Sequence, residues 1–144
     1  MSITPMNQLN RIVAAPVGTM ITRTNSGKSL VFQVVNAGAA LLQAPGVYQF
    51  LKRTPEGGYE SLYVGRTQHL AIRQSEHMSN RMSDWHKALS LGMTHVGYLS
   101  VPGDEWARYE IERDIYETYR PRLNNIAPAR PDNKLADALR GLTR

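Results

Sequence analysis

Between Lys28 and Lys52 the chain carries no formally charged side chain, a run of 23 consecutive residues, 29–51. A helix of that length could cross a bilayer. Gln33, Asn36, Gln43, Pro45 and Gly46 interrupt the run, so no stretch of about 18 apolar residues survives between them. The segment is therefore not expected to span a membrane. At 144 residues, with 42% apolar and 20% charged residues, the chain has the size of one domain and enough apolar surface to bury. There are no cysteines, which excludes disulfide scaffolds, thiolate zinc sites, iron–sulfur clusters and cysteine nucleophiles. The N-terminal residues lack the charged, apolar and small-residue succession of a signal peptide, so the cytoplasm is the expected location.

The formal net charge is +5, and it is unevenly placed. Arg11, Arg23, Lys28, Lys52 and Arg53 all precede the first acid, Glu56. Beyond that point basic and acidic residues cancel, so the whole excess lies in the first 55 residues. A basic segment of this kind suits a polyanion, because phosphate contacts release counterions.

Residues 19–23 and 30–35 are rich in β-branched side chains and flank Asn25-Ser26-Gly27, which predicts a hairpin. Gly27-Lys28-Ser29 has the ending of a phosphate-binding loop, but Thr22 stands where that loop needs glycine, so the segment reads as a turn. Residues 47–53 and 61–67 flank Thr54-Pro55-Glu56-Gly57-Gly58 and predict a second hairpin. A strand is expected over 94–101. Helices are expected over 68–79, capped by Thr67, over 83–91, between Ser83 and Gly92, and from Asp104 to about Tyr119, ahead of Pro121. In the last of these, Trp106, Ala107, Ile111, Ile115 and Thr118 form the expected buried stripe, with Glu105, Arg108, Glu112 and Tyr116 on another side. Thr4-Pro5 opens a short helix carrying Met6, Leu9 and Val13, and Leu135, Leu139 and Leu142 mark a terminal one.

Six elements stand in order along the middle of the chain. Gly46-Val47-Tyr48 starts one strand, and Tyr63-Val64-Gly65 lies in its hairpin partner. His69, Arg73 and His77 follow at four-residue spacing, one face of a helix. Glu112 lies mid-helix, and Asn124 follows Arg120-Pro121-Arg122-Leu123. With these residues the sequence resembles the GIY-YIG nuclease superfamily, which includes homing endonucleases, some type II restriction enzymes and the N-terminal nuclease of bacterial nucleotide-excision repair. The two triplets are similar to its name motifs, Arg73 and His77 to its helical arginine and the following His or Tyr, Glu112 to its metal-binding glutamate, and Asn124 to its closing Pro-x-x-Asn asparagine. Arg66 stands where excision-repair members often carry lysine, keeping the charge without the ability to pass a proton.

The resemblance implies an α+β fold with a small three-stranded antiparallel sheet flanked by helices. It divides the chain into a basic extension with a helix and hairpin (1–44), a nuclease domain (45–125) and a C-terminal tail with a short helix (126–144). It also implies a metal-dependent endonuclease, acting on nucleic acid and on DNA ahead of RNA. Phosphodiester cleavage needs a base for water, a stabiliser for the charge gained at phosphorus, and help for the leaving oxygen. Glu112 would hold one Mg²⁺ or Mn²⁺ at the leaving oxygen. Arg73 would grip phosphate oxygens without acting as a base. Tyr48 or His77 would be the base, with Tyr63 assisting, and Arg66 would sit beside the substrate. Gly65 is expected to admit a close backbone approach, and Asn124 to tie the loop after the Glu112 helix to the sheet. One such site cuts one strand, so double-strand cleavage requires a homodimer, a partner protein or sequential nicking. With no separate DNA-reading domain in prospect, low sequence specificity is expected. Two rivals compete: a catalytically silent nucleic-acid-binding or assembly module on the same fold, and a protein-binding module whose basic charge is incidental.

Overall fold

Both predicted hairpins close with the same turn. Gly27 N donates to Thr24 O and Gly57 N to Thr54 O, each at 2.9 Å, while Thr24 N and Thr54 N donate across to Lys28 O and Gly58 O, also at 2.9 Å. In each turn the threonine hydroxyl accepts from the backbone N–H four residues on, at 3.2 Å for Lys28 and 3.1 Å for Gly58. Gly27 and Gly57 take φ of +94° and +92°, the region that glycine enters without a Cβ penalty.

The computed structural model describes residues 14–131. In chain order the elements are β1 (Gly18–Arg23), β2 (Ser29–Asn36), β3 (Gly46–Arg53), β4 (Tyr59–Thr67), α1 (Leu70–Ser79), α2 (Asp84–Ser90), β5 (His95–Ser100) and α3 (Glu105–Tyr119). The terminal helices expected around Met6 and Leu139 lie outside the described residues. Among the described residues no helix is long and apolar enough to cross a membrane.

The expected three-stranded sheet is corrected to one of five strands, in the order β1-β2-β5-β3-β4, with every neighbouring pair antiparallel. The expected trio, β5-β3-β4, would leave one edge of β5 with unpaired N–H and C=O groups. The first hairpin covers that edge, pairing Gln33 with Tyr98, Val34 with Gly97 and Val35 with Val96. It also brings Phe32, Val34 and Val35, all 0% exposed, into the core. The sheet curls: the edge strands β1 and β4 line one pocket, and Gln49 Nε2 on β3 donates to Thr22 Oγ1 on β1 at 3.1 Å, although two strands separate β3 from β1.

Helices pack on both faces. One core joins Tyr48, Phe50, Val96 and Tyr98 of the sheet to Leu70, Trp85 and Ala88 of α1 and α2. The other joins Phe32, Val47 and Val64 to Ile115 and Tyr116 of α3. Strand alternation explains the division, since neighbours such as Val47 and Tyr48 face opposite ways.

Candidate active site

A cleft of about 250 Å³ opens beside β4 and is lined by Tyr48, Tyr63, Gly65, Arg66, Arg73 and Glu112, among others. β4 is an edge strand, so side chains from α1 on one face and α3 on the other reach one opening. His77 lies behind Tyr48, and Asn124 outside the strand.

Gly65 pairs with Tyr48 across β3 and β4. A Cβ on Gly65 would sit 2.5 Å from Tyr48 Oη and 2.6 Å from Cζ, so the absent side chain lets the Tyr48 ring lie flat on the β4 backbone. Gly46, the first residue of the same motif, has the Leu99 carbonyl oxygen where its Cβ would be. Phe50 and Tyr63 stack at 5.2 Å and continue the aromatic row along the two strands.

Helix α1 starts later than predicted because β4 runs through Thr67. Its free N–H groups are met by neighbours: Leu70 N donates to Ala44 O at 2.9 Å, Ala71 N to Leu42 O at 3.2 Å, and Ile72 N to His69 Nδ1 at 3.3 Å. Thus His69 caps the helix instead of sharing a functional face with Arg73 and His77. One turn on, Arg73 faces the cleft and also pairs with Glu76 at 3.1 Å. A further turn on, His77 is buried, its Nε2 2.9 Å from Tyr48 Oη. Ser83, read as a cap for α2, makes no capping bond with its side chain, which donates to His77 O at 2.5 Å.

Burial, then the Arg73 cation, lowers the His77 pKa to about 4, so the imidazole is neutral at neutral pH. Its Nδ1 has no hydrogen-bond partner. A buried N–H without an acceptor is rarer than an unshared lone pair, so the network assigns the proton to Nε2, which donates to Tyr48 Oη. The Tyr48 hydroxyl keeps its own proton, free of His77. Burial, followed by the neighbouring Tyr63, pushes the Tyr48 pKa well above the ordinary phenol value, and Arg73 pulls it back in part. Tyr63 is raised as well, by burial and then by Asp84 and Glu112.

On the opposite wall, Arg66 Nη1 donates to Glu112 Oε1 at 2.6 Å, and its Nη2 to Glu105 Oε2 at 3.0 Å and Ala129 O at 2.7 Å. Burial raises the Glu112 carboxyl above its usual range, and Arg66 restrains the rise. Arg108, expected on a side of the helix away from the buried stripe, is 4% exposed and donates to Val101 O at 3.2 Å and Gly103 O at 3.0 Å. The buried side of α3 is therefore Arg108, Tyr109, Glu112, Ile115 and Tyr116, shifted from the predicted stripe because paired polar groups can be buried. Glu105 and Arg108 belong to the cleft and escaped the motif; their spacing of seven and four residues before Glu112 was the available signal. Asn124 accepts from Val64 N at 2.8 Å and donates to Val64 O at 2.9 Å, pairing the edge of β4 as a strand would.

Among the described residues no group of three or more His, Cys, Asp or Glu side chains converges, so no all-protein metal cage exists there. Glu112 shares only Oε1 with Arg66. A single buried carboxylate beside an open cleft fits a hard ion that takes its other ligands from water and phosphate, as Mg²⁺ does. Family models, curated proteins and solved structures offer no match to this chain.

Proposed function

We propose that the protein is a metal-dependent nuclease that hydrolyses phosphodiester bonds of nucleic acid, DNA ahead of RNA. The observation that carries this reading is one cleft shared by a buried phenol, a guanidinium on α1 and a buried carboxylate on α3. The order of motifs similar to those of the GIY-YIG superfamily adds to it. In the proposed reaction Arg73 binds the non-bridging phosphate oxygens as a fixed cation. Tyr48 first releases its own hydroxyl proton to solvent through the cleft it lines, and as the phenolate it takes the proton of the attacking water. Its raised pKa makes the phenolate costly in the resting site, and Arg73 lowers that cost while disfavouring an imidazolium at His77. Tyr48 is accordingly the base, and His77 a positioning residue whose Nε2–H steadies the phenolate. Glu112 would hold Mg²⁺ or Mn²⁺, which supplies positive charge for the phosphate and the leaving oxygen. Arg66 holds Glu112 in place through an ion pair closed to most solvent.

Incubation of supercoiled plasmid with Mg²⁺ or Mn²⁺ tests the reading. The wild-type protein should nick it, and Glu112→Ala should be slower by about a hundredfold or more. Equal nicking by both overturns the assignment. The Arg66–Glu112 pair favours a second reading, a nucleic-acid-binding module without catalysis; salt-sensitive binding with no nicking in either metal would select it.

A further inference from the structure

A second pocket of about 340 Å³ lies between the two edge strands of the curled sheet, on other residues than the cleft. None of the described residues that line it is charged, in a chain where one residue in five is. Gln49, 1% exposed, forms part of its wall, with Thr22 beside it. The Gln49 amide spends one N–H on Thr22 Oγ1, which leaves its carbonyl and second N–H unspent on that bond. Ser61 also lines the pocket, and its buried hydroxyl has no partner. Rotation about χ1 can turn that hydroxyl towards a ligand without breaking any bond.

The side walls are aromatic. Tyr59 accepts from Arg53 Nη1 at 2.9 Å, and Tyr119 donates to Arg23 O at 2.6 Å. Both hydroxyls are thereby engaged. The Arg53 guanidinium lies over the Tyr59 ring, 5.1 Å from its centroid, and the His95 ring meets it at 5.2 Å, so Tyr119, 46% exposed, is the ring that offers flat apolar surface. We infer that this pocket binds a neutral, planar, amide-bearing heterocycle of nucleobase size, its edge read by Gln49 and Ser61 and its face packed on Tyr119. The volume is at the small end for a ligand site, which suits one ring system. An uncharged lining accepts a base and offers nothing to phosphate. Primary amides read nucleobase edges by paired donor and acceptor, and aromatic rings stack on any base. The ligand could arrive as a free nucleoside or as a base turned out of a strand.

Titration of the ¹⁵N-labelled full chain, without divalent metal, separates these sources and is independent of cleavage. The probes are the four ribonucleosides, a 10-residue single-stranded oligonucleotide and, as an apolar control, indole. Saturable shifts of the Gln49 side-chain amide are expected with at least one nucleoside or with the oligonucleotide. Response to nucleosides alone identifies a free-ligand site, and response to the oligonucleotide identifies a strand-borne base. Gln49→Leu and the surface variant Tyr119→Ala should each weaken binding about tenfold. Three results overturn the inference: no Gln49 shift with any nucleoside or the oligonucleotide, shifts confined to the Tyr48 cleft, or indole binding as well as the best nucleoside. Loss of nicking in Glu112→Ala bears only on the nuclease reading, so the two can fail separately.

Discussion

The β1–β2 hairpin turns at Gly27 and the β3–β4 hairpin at Gly57, with matching backbone hydrogen bonds and a threonine hydroxyl accepting across each loop. Both hairpins then hold α3, at different places and in different ways. The first uses its turn: Asn25 N donates to Thr118 Oγ1 at 2.9 Å, Ser26 Oγ to Asp114 Oδ2 at 2.8 Å, and Lys28 pairs with Asp114 at 3.0 Å. The second uses the far end of its last strand, where Arg66 holds Glu112. The side chains of Arg66 and Glu112 are 11% and 10% exposed, against 44% for Lys28. One local turn thus serves two ends. The solvated turn of the first hairpin fixes the direction of a helix, and the buried strand end of the second fixes a charge beside a phenol.

The largest test of that contrast removes Arg66. Arg66→Gln leaves Glu112 buried without its cation and should lower stability by about 3 kcal/mol in urea unfolding at neutral pH; a loss below about 1 kcal/mol would put the pair among ordinary surface bridges. Next comes the buried imidazole, which the first hairpin has no counterpart for. The folded His77 pKa is about 4, below the ordinary 6.5 or so of an unfolded chain, so folding excludes a proton. The contribution is whole above pH 6.5 and is lost as pH falls towards 4, with a magnitude of at most about 3 kcal/mol. His77→Gln should flatten that part of the stability curve, and an unchanged slope would place the titration elsewhere.

Smaller effects probe the likeness of the turns. Gly27→Ala and Gly57→Ala both force a side chain into positive φ, and each should cost about 1 kcal/mol, equal within error, by thermal or urea unfolding. Unequal costs would show that the loops differ beyond their hydrogen bonds. Smallest of all, Lys28→Ala should change stability by roughly 0.5 kcal/mol or less and lose even that in high salt.

Much of this was legible in the sequence where the cause is local. Glycines at fixed offsets located both turns, and Asp104 caps α3 by accepting from Ala107 N at 3.1 Å. Tyr48, Gly65, Arg73 and Glu112, chosen by their resemblance to known motifs, line one cleft. The α3 stripe was misread because apolar spacing treats Arg108 and Glu112 as outward residues, whereas carbonyls and Arg66 receive them inside. His69 looked like a member of the Arg73–His77 face, yet the strand before it runs on to Thr67 and leaves it at the helix start.

Sequence alone determined the strands, helices, turns and the placement of charge, because those depend on hydrogen bonds and side-chain periodicity within a few residues. Tertiary structure decided that five strands form one curled sheet, that the cleft opens at the β4 edge, and that His77 and Glu112 are desolvated. Those outcomes depend on partners distant along the chain: 29 residues separate Tyr48 from His77, and 46 separate Arg66 from Glu112. The pairing of β5 with β2 and β3, and the cost of burying a charge, are set by what the folded chain brings alongside, which no local pattern encodes.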